Sequence, residues 1–392
     1  MLRRASANSG HSEAERAPER PNANPAAWPG WRDFRVERRE FVDAAKSQCS
    51  FYLVPVDAGI LPAYAPGQFL TVMLNVARGG VAPGGGAATV TRCYSLSDAP
   101  GADAYRLTVK RVLPPAVTPD LPPGVASGYL HDQVEVGSIL KVKAPAGRFV
   151  LLPNQRIPLV LIAGGIGITP MMSMLTWSLA HEPDREVYLF YGVRCGLDHA
   201  FKKRLEELAE QHAGFHLNIA YSNPTDDDEG GRDFQHAGRV DIALLRSVLT
   251  RVRHVFYVCG PPPMMAGLVP ALVQWGVASE DVHYEAFGPA TVPTGAAMKV
   301  PGDIDSDVAF DVRFHRSGRT LAWDGQDSNL LAFAERHGIE MDSGCRSGSC
   351  GTCETRLRQG EMKYAARPDH ETRAGYCLPC VGVPASALEI DA

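Results

Sequence analysis

Short runs, alternating apolar with polar or wholly apolar, recur over the first part of the chain. Phe51-Tyr52-Leu53-Val54, Gln68 to Leu74, Tyr105 to Lys110 and Ser138 to Lys143 are such runs, separated by turn residues. Period two in pieces this short predicts strands, and a series of them predicts a small antiparallel barrel over residues 31–153. Two stretches interrupt the pattern as loops: the glycine-rich 79–86 and the proline-rich 113–123.

The period changes near Leu159. Leu159-Val160-Leu161-Ile162-Ala163 is a continuous apolar run that ends in glycines, and a helix is predicted to open at Thr169-Pro170. Strands are predicted at 187–192, 217–221, 255–259 and 282–287. Helices are predicted from Asp198, around 242–249 and from Met264. In the helix from Asp198, Phe201, Leu205 and Leu208 share one face. Strands alternating with helices predict an α/β doubly wound parallel sheet over residues 154–288. Residues 289–306 hold Pro289, Pro293, Gly295, Pro301 and Gly302 without apolar period and read as a linker. A third unit follows at 307–392. Residues 1–30, rich in Ala, Pro, Asn, Ser and Arg, read as a disordered tail.

Composition narrows the classes. The chain has 392 residues, enough for two or three domains, and 45% apolar with 21% charged residues is ordinary for a globular protein. A formal charge of −5 gives no support for nucleic-acid binding. No apolar run reaches the roughly 18 residues of a membrane span; the longest, from Ile157 to Ile168, is broken by Pro158 and three glycines. The first residues lack the apolar core of a secretory leader. Nine cysteines without a leader point to metal or redox use in a reducing cytoplasm.

The cysteines carry the strongest signal. Cys345, Cys350 and Cys353 are spaced C-x4-C-x2-C, with Cys380 further on. That is the plant-type [2Fe–2S] spacing, in which four thiolates hold two irons. Gly344, Gly348 and Gly351 allow a tight loop whose N–H groups turn towards the sulfurs. A structural zinc site is the competing reading, although zinc more often uses two separated C-x2-C pairs. Cys377 competes with Cys380 as fourth ligand.

Four further constellations precede the cluster. Arg92-Cys93-Tyr94-Ser95 is placed where a strand begins. It offers a guanidinium for a phosphate, a ring for an isoalloxazine and a hydroxyl for a flavin's reactive edge; a half-buried strand explains it equally. Gly124 to Ser127 offers small residues whose N–H groups could meet a pyrophosphate, or is a turn. Gly165-x-Gly167-x-Thr169-Pro170 joins strand to helix, where N–H groups and the helix dipole suit a phosphate. Cys259-Gly260-Pro261 ends a later strand, where open parallel sheets bind ligands. Cys259 could line a nicotinamide pocket or belong to the core.

In this order these motifs resemble the ferredoxin–NADP reductase superfamily. Gly124-x-x-Ser127, Ala144 to Gly147 and His283-Tyr284-Glu285-Ala286-Phe287 are similar to the reductase half of flavohaemoglobins. The order flavin, nicotinamide, ferredoxin resembles reductase components of oxygenase systems. The resemblance implies a flavin β-barrel, a nucleotide α/β domain and a β-grasp [2Fe–2S] domain. It implies FAD, with FMN the runner-up, and roles for Ser95, Cys259, Glu285 and Phe287 around the reacting rings. Only about 30 residues precede the barrel, too few for a globin domain. The expected path is NADH to FAD to [2Fe–2S] to a separate acceptor, an oxygenase or haem protein docking on the ferredoxin domain. A non-catalytic electron carrier or redox sensor, and a stand-alone flavin diaphorase or oxidase, are the competing functions. NADH is expected over NADPH: Asp226, Asp227, Asp228 and Glu229 follow a strand of the nucleotide domain, where acids would repel a 2′-phosphate. Arg194 argues the other way.

Overall fold

The computed structural model describes residues 27–77, 87–114, 123–153, 156–250, 252–287, 310–344, 346, 348, 351–364, 368, 370 and 372–392. Residues 1–26 of the expected tail, the glycine-rich loop, most of the proline-rich loop and the linker lie outside these residues, as do Cys345 and Cys350; Trp28, expected in the tail, instead packs on the barrel and donates to Val142 O at 3.1 Å.

The first unit comprises β1 (Arg32–Phe41), β2 (Gln48–Pro55), β3 (Phe69–Ala77), β4 (Ala87–Ser95), β5 (Tyr105–Lys110), α1 (Val125–Gln133) and β6 (Ile139–Val142). Six strands pair antiparallel in the order β4-β3-β6-β1-β2-β5. A bridge between Leu96 and Leu107 joins the two edges and closes the barrel. Its core gathers Phe34, Val36, Phe51, Leu70 and Leu107, and α1 plugs one end with Ala126 and Leu130. Strand β1 is absent from the expected runs because Arg and Glu occupy most of it; Phe34 and Val36 alone are fully buried.

The second unit comprises β7 (Leu159–Gly164), α2 (Ile168–His181), β8 (Val187–Val193), α3 (Lys202–Gln211), β9 (Phe215–Tyr221), β10 (His236–Ala237), α4 (Ile242–Val248), β11 (Val255–Gly260), α5 (Pro262–Gln274) and β12 (Val282–Ala286). All pairings are parallel, in the order β10-β9-β8-β7-β11-β12. Every residue of β7 and β11 is buried, as a strand covered by helices on both faces requires. Two apolar cores fill the two faces.

Phe201 corrects the expected helix from Asp198. It precedes α3 in the left-handed region at φ +59°. Its ring is still buried, but it reaches the core from outside the helix. This segment also joins the two domains. Phe201 N–H donates to Val42 O at 2.9 Å, and Ala45 N–H to Leu197 O at 2.9 Å. Gln48 Nε2 donates to Asp198 O at 3.0 Å. The Arg106 guanidinium lies 5.0 Å from the Phe201 ring centre.

The third unit comprises β13 (Phe310–Phe314), β14 (Arg319–Trp323), α6 (Leu330–Arg336), β15 (Thr355–Gln359), β16 (Met362–Tyr364), β17 (Tyr376–Cys377), β18 (Gly382–Pro384) and β19 (Leu388–Ile390). Its main sheet runs β14-β13-β19-β15-β17, with β13 and β19 parallel. Asn329 caps α6 through Ala332 N–H at 2.8 Å. The helix lays Leu330, Phe333 and Ala334 on the sheet. The expected combination of antiparallel barrel, parallel α/β sheet and ferredoxin-like α+β domain is therefore present.

Candidate functional site

The turn after β7 is built by close approach. Gly164 and Gly260 end neighbouring strands, and a methyl group on Gly164 would stand 2.6 Å from Pro261 and 2.7 Å from the Met264 sulfur. At Gly167 a Cβ would fall 2.2 Å from the carbonyl oxygen of Cys259. Gly165 adopts φ +53° with open space above it. A single 3-10 turn (Gly165–Gly167) leads into α2. Thr169 Oγ1 donates to Ile166 O at 3.0 Å. Pro170 is the third residue of α2, so it sits in the first turn, where a missing N–H costs nothing.

A cleft of about 580 Å³ opens beside this turn. Gly164, Gly165, Arg194, Arg239, Pro261 and Met264 are among its walls. Cys259 is not. It is fully buried opposite Ala163 and Glu285, and burial, reinforced by Glu285, pushes its thiol well above the ordinary range. It stays protonated and supports Gly167 from behind. Phe287 packs against the same core.

Arg92-Cys93-Tyr94-Ser95 closes β4 instead of opening a strand. The glycine-rich sequence at 79–86 breaks the apolar pattern between β3 and β4, so a reading by short runs missed their pairing. Tyr94 lies opposite Leu70, and Arg92 opposite Val72. Ser95 is buried, and its Oγ has no hydrogen-bond partner. A buried hydroxyl costs stability unless paired, so this atom fits a ligand's polar edge. Arg92 donates to Thr91 O at 2.8 Å and lines a polar cavity of about 330 Å³. Lys143, 5.1 Å from the Trp31 ring centre, lines it too. The opposite wall comes from the third unit: Met341, Asp342, Ser343, Gly351 and Thr352.

Gly124 is the N-cap of α1, so the expected turn is a helix start. A Cβ there would meet Val112 at 2.8 Å. The Ser127 hydroxyl donates to Gly124 O at 3.0 Å and accepts from Val112 N–H at 3.1 Å. It is used inside the protein, which leaves the backbone N–H groups of α1 as what this segment can offer an anion.

Of the expected cluster ligands, Cys353 and Cys380 are described. Their sulfurs lie 3.1 Å apart. They share a small buried group with Leu331 and Leu378. Cys377 belongs to a different core and pairs across β15 with Thr355; burial pushes its thiol up to about 12. Gly348 (φ +75°) and Gly351 (φ +65°) take the left-handed backbone the loop needs. The His370 ring packs onto Gly351, 2.3 Å from where a Cβ would stand, and His370 N–H donates to Gly348 O at 2.9 Å. Two sulfurs at this separation, one following the glycine-rich loop and one between β17 and β18, fit ligation of one metal centre.

The acidic run is not where the sequence suggested. Asp228 accepts from Gly196 N–H at 3.1 Å and from Thr225 N–H at 2.7 Å, and Glu229 pairs with Arg232 at 2.6 Å. None of the four acids lines the cleft. Arg239, Asp241 and Ser222 do, and sequence reading did not single them out. Gly238-Arg239-Val240-Asp241 before a predicted helix was the available signal, since Asp241 is the N-cap of α4.

Known proteins match this geometry domain by domain. Residues 161–269 match the oxidoreductase NAD-binding domain, and residues 312–385 the 2Fe-2S iron-sulfur cluster binding domain. The chain belongs to the ferredoxin–NADP reductase superfamily, as a flavohaem-like FAD/NAD-binding unit followed by a ferredoxin domain. The flavohaem-like FAD/NAD-binding domain of nitric oxide dioxygenase from Vibrio cholerae O1 biovar El Tor is 33% identical (TM-score 0.56). That match covers 66% of this chain and 99% of that one. A flavohemoprotein of Halalkalibacterium halodurans is 38% identical over 272 residues, 69% of this chain and 63% of that protein. The chain thus spans under two thirds of that relative. Phthalate dioxygenase reductase, described as modular for electron transfer from pyridine nucleotides to [2Fe-2S], is 25% identical. It aligns over 93% of this chain and 98% of its own, with TM-score 0.53. Among the described residues no helix is long and apolar enough to cross a membrane.

Proposed function

We propose that this chain is an NADH-dependent reductase that passes electrons through FAD and a [2Fe–2S] cluster to a separate protein, an oxygenase or haem protein. One observation carries the reading: Arg92 of the barrel and Gly351 and Thr352 of the cluster loop line the same cavity. A flavin seated on Arg92 would therefore lie beside the cluster loop. The relatives support the cofactors, since the Vibrio cholerae domain is named for FAD and NAD, and the phthalate dioxygenase reductase for [2Fe-2S].

When bound, the flavin accepts a hydride's two electrons and yields them one at a time. The chain's residues do the rest. Arg92 pairs with the flavin phosphate, Tyr94 packs on the isoalloxazine, and Ser95 Oγ hydrogen-bonds its reactive edge. The α1 N-terminus at Gly124 to Ser127 receives the pyrophosphate side of FAD. Gly165, Gly167, Thr169, Pro170, Gly260 and Pro261 shape the nicotinamide nucleotide's seat. Glu285 and Phe287 orient and shield the ring, with Cys259 as a buried support. Cys345, Cys350, Cys353 and Cys380 hold the cluster. The setting would be the cytoplasm, where these thiols remain reduced.

Two forms of the protein test it: the full chain and a truncation ending at Phe287, which keeps the barrel and the α/β domain, the unit that matches the Vibrio cholerae FAD/NAD-binding domain. Both should reduce ferricyanide with NADH. Only the full chain should reduce cytochrome c efficiently. Equal cytochrome c rates would show that electrons leave from the flavin and would remove the cluster from the path.

A further inference from the structure

We propose that Tyr364 sets the potential of the [2Fe–2S] cluster: its hydroxyl hydrogen is donated to the Cys353–Cys380 sulfur pair and makes the cluster easier to reduce. The proposal rests on the reading of those two cysteines as cluster ligands.

Tyr364 reaches the sulfurs from outside the main ferredoxin sheet. It ends β16, which pairs with β18, and it lies opposite Gly382. A Cβ on Gly382 would stand 2.8 Å from its ring, so glycine there leaves the ring its place. The ring packs on the small group of Leu331, Cys353, Leu378 and Cys380. Its hydroxyl oxygen accepts from Leu378 N–H at 3.0 Å. The Leu378 carbonyl in turn accepts from Val381 N–H at 3.2 Å and from Gly382 N–H at 3.1 Å. The turn that carries Cys380 is thus closed at one end by its own backbone and at the other by Tyr364.

A phenol oxygen that accepts from the backbone still has its own hydrogen to give. Burial pushes the ionisation of Tyr364 up, so the hydrogen stays on it. The charges that act on this hydroxyl include those of Cys377, Cys353 and Cys380. Cys377 keeps its proton, whereas a metal ligand is a thiolate. The anionic acceptors within the group are therefore Cys353 and Cys380, whose sulfurs lie 3.1 Å apart. Reduction adds one negative charge to the cluster, and a hydrogen bond to its sulfur strengthens as that charge grows. The donor accordingly favours the reduced state. Tyr364 eases the step into the cluster and lessens the drive from the cluster to an outside acceptor.

The test reads potential and vibration in the full-length holoprotein, not turnover. Tyr364→Phe keeps the ring and removes the hydroxyl. Poised at the wild-type midpoint, its cluster should show a ratio of reduced to oxidised form about ten-fold lower, a downward shift of about 59 mV for one electron. Incorporating 3-fluorotyrosine at position 364 makes a stronger donor and a weaker acceptor, and should shift the potential upwards. A residue that only caps Leu378 N–H would move both proteins in the same direction. In resonance Raman spectra, the shift of the iron–sulfur stretching bands in heavy water should be smaller in Tyr364→Phe than in the wild type. Unmoved potentials, shifts of the same sign, or identical isotope shifts overturn the proposal and leave the reductase reading in place. If Tyr364→Phe holds no cluster, the sign of the shift in the fluorotyrosine protein decides alone. A wild type without a [2Fe–2S] spectrum overturns both.

Discussion

The nucleotide domain and the ferredoxin domain are held together by different physics. The first buries whole strands on both faces and fills two extended cores. The second has strands of two to five residues, many half-exposed. Beside its main core lies a four-residue group in which Cys353 and Cys380 are half the members. Hydrophobic burial grows with domain size, and small domains need a staple. The α/β domain can be stable on apolar packing alone. The ferredoxin domain is one whose second core a metal centre completes, so binding and folding are coupled there.

The sharpest way to break that contrast is at the sulfurs. Cys380→Ser should abolish the cluster's visible absorbance and loosen the C-terminal domain, while NADH–ferricyanide activity persists. Cys377→Ser should keep a native spectrum. The opposite pattern would move the fourth ligand to Cys377. The next effect belongs to the nucleotide domain. Gly167→Ala forces a methyl against Cys259 O and should destabilise by about 3 kcal/mol, the upper end of overpacking costs. Denaturant melts should show the loss in the α/β transition, with the cluster absorbance unchanged.

A titration separates the domains further. His199 is buried, and burial, with Lys202 nearby, holds its pKa down at about 3. Its Nδ1 meets Tyr221 OH at 2.8 Å, and Nε2 has no partner. The unfolded chain binds a proton near pH 6.5 that the folded one refuses until near pH 3. Stability therefore falls as the pH drops through this window, by about 2 kcal/mol at pH 5 from this residue. His199→Gln should flatten that slope in chemical denaturation between pH 7 and 5; an unchanged slope would place the acid sensitivity elsewhere. The smallest expected effect is Gly351→Ala. It strains a left-handed residue by about 1–2 kcal/mol and displaces His370. The cluster should assemble but show a shifted reduction potential in a spectroscopic titration; an unshifted potential would mean His370 does not constrain the loop.

What could be read in advance follows the same divide. The α/β domain announced itself because Leu159–Ala163 and the 255–259 run are apolar throughout and end in glycines. Errors there were local. Phe201 fits a helical period by spacing yet sits before the helix, since its backbone bond goes to Val42 in another domain. The barrel hid β1 behind its charges, and hid the true position of Arg92 behind a glycine-rich loop. The cluster spacing was legible because metal ligation demands it of the sequence itself. Of the cleft's two arginines, Arg194 was named in advance and Arg239 was not. Arg194 and Arg239 come from separate strand ends, and only the sheet order brings them together.

The seam between barrel and α/β domain has one more consequence. Main-chain groups at Val42, Ala45, Leu197 and Phe201 are knotted across it, so these two domains form a single chassis. Opening it would break backbone pairs that water would have to replace. On the proposed reading, dinucleotide exchange then goes through the open cleft, with the seam kept closed. A covalent strap across the seam should leave turnover as it was. On that reading, delivery of electrons to a partner falls to the ferredoxin domain, carried beside this shared frame.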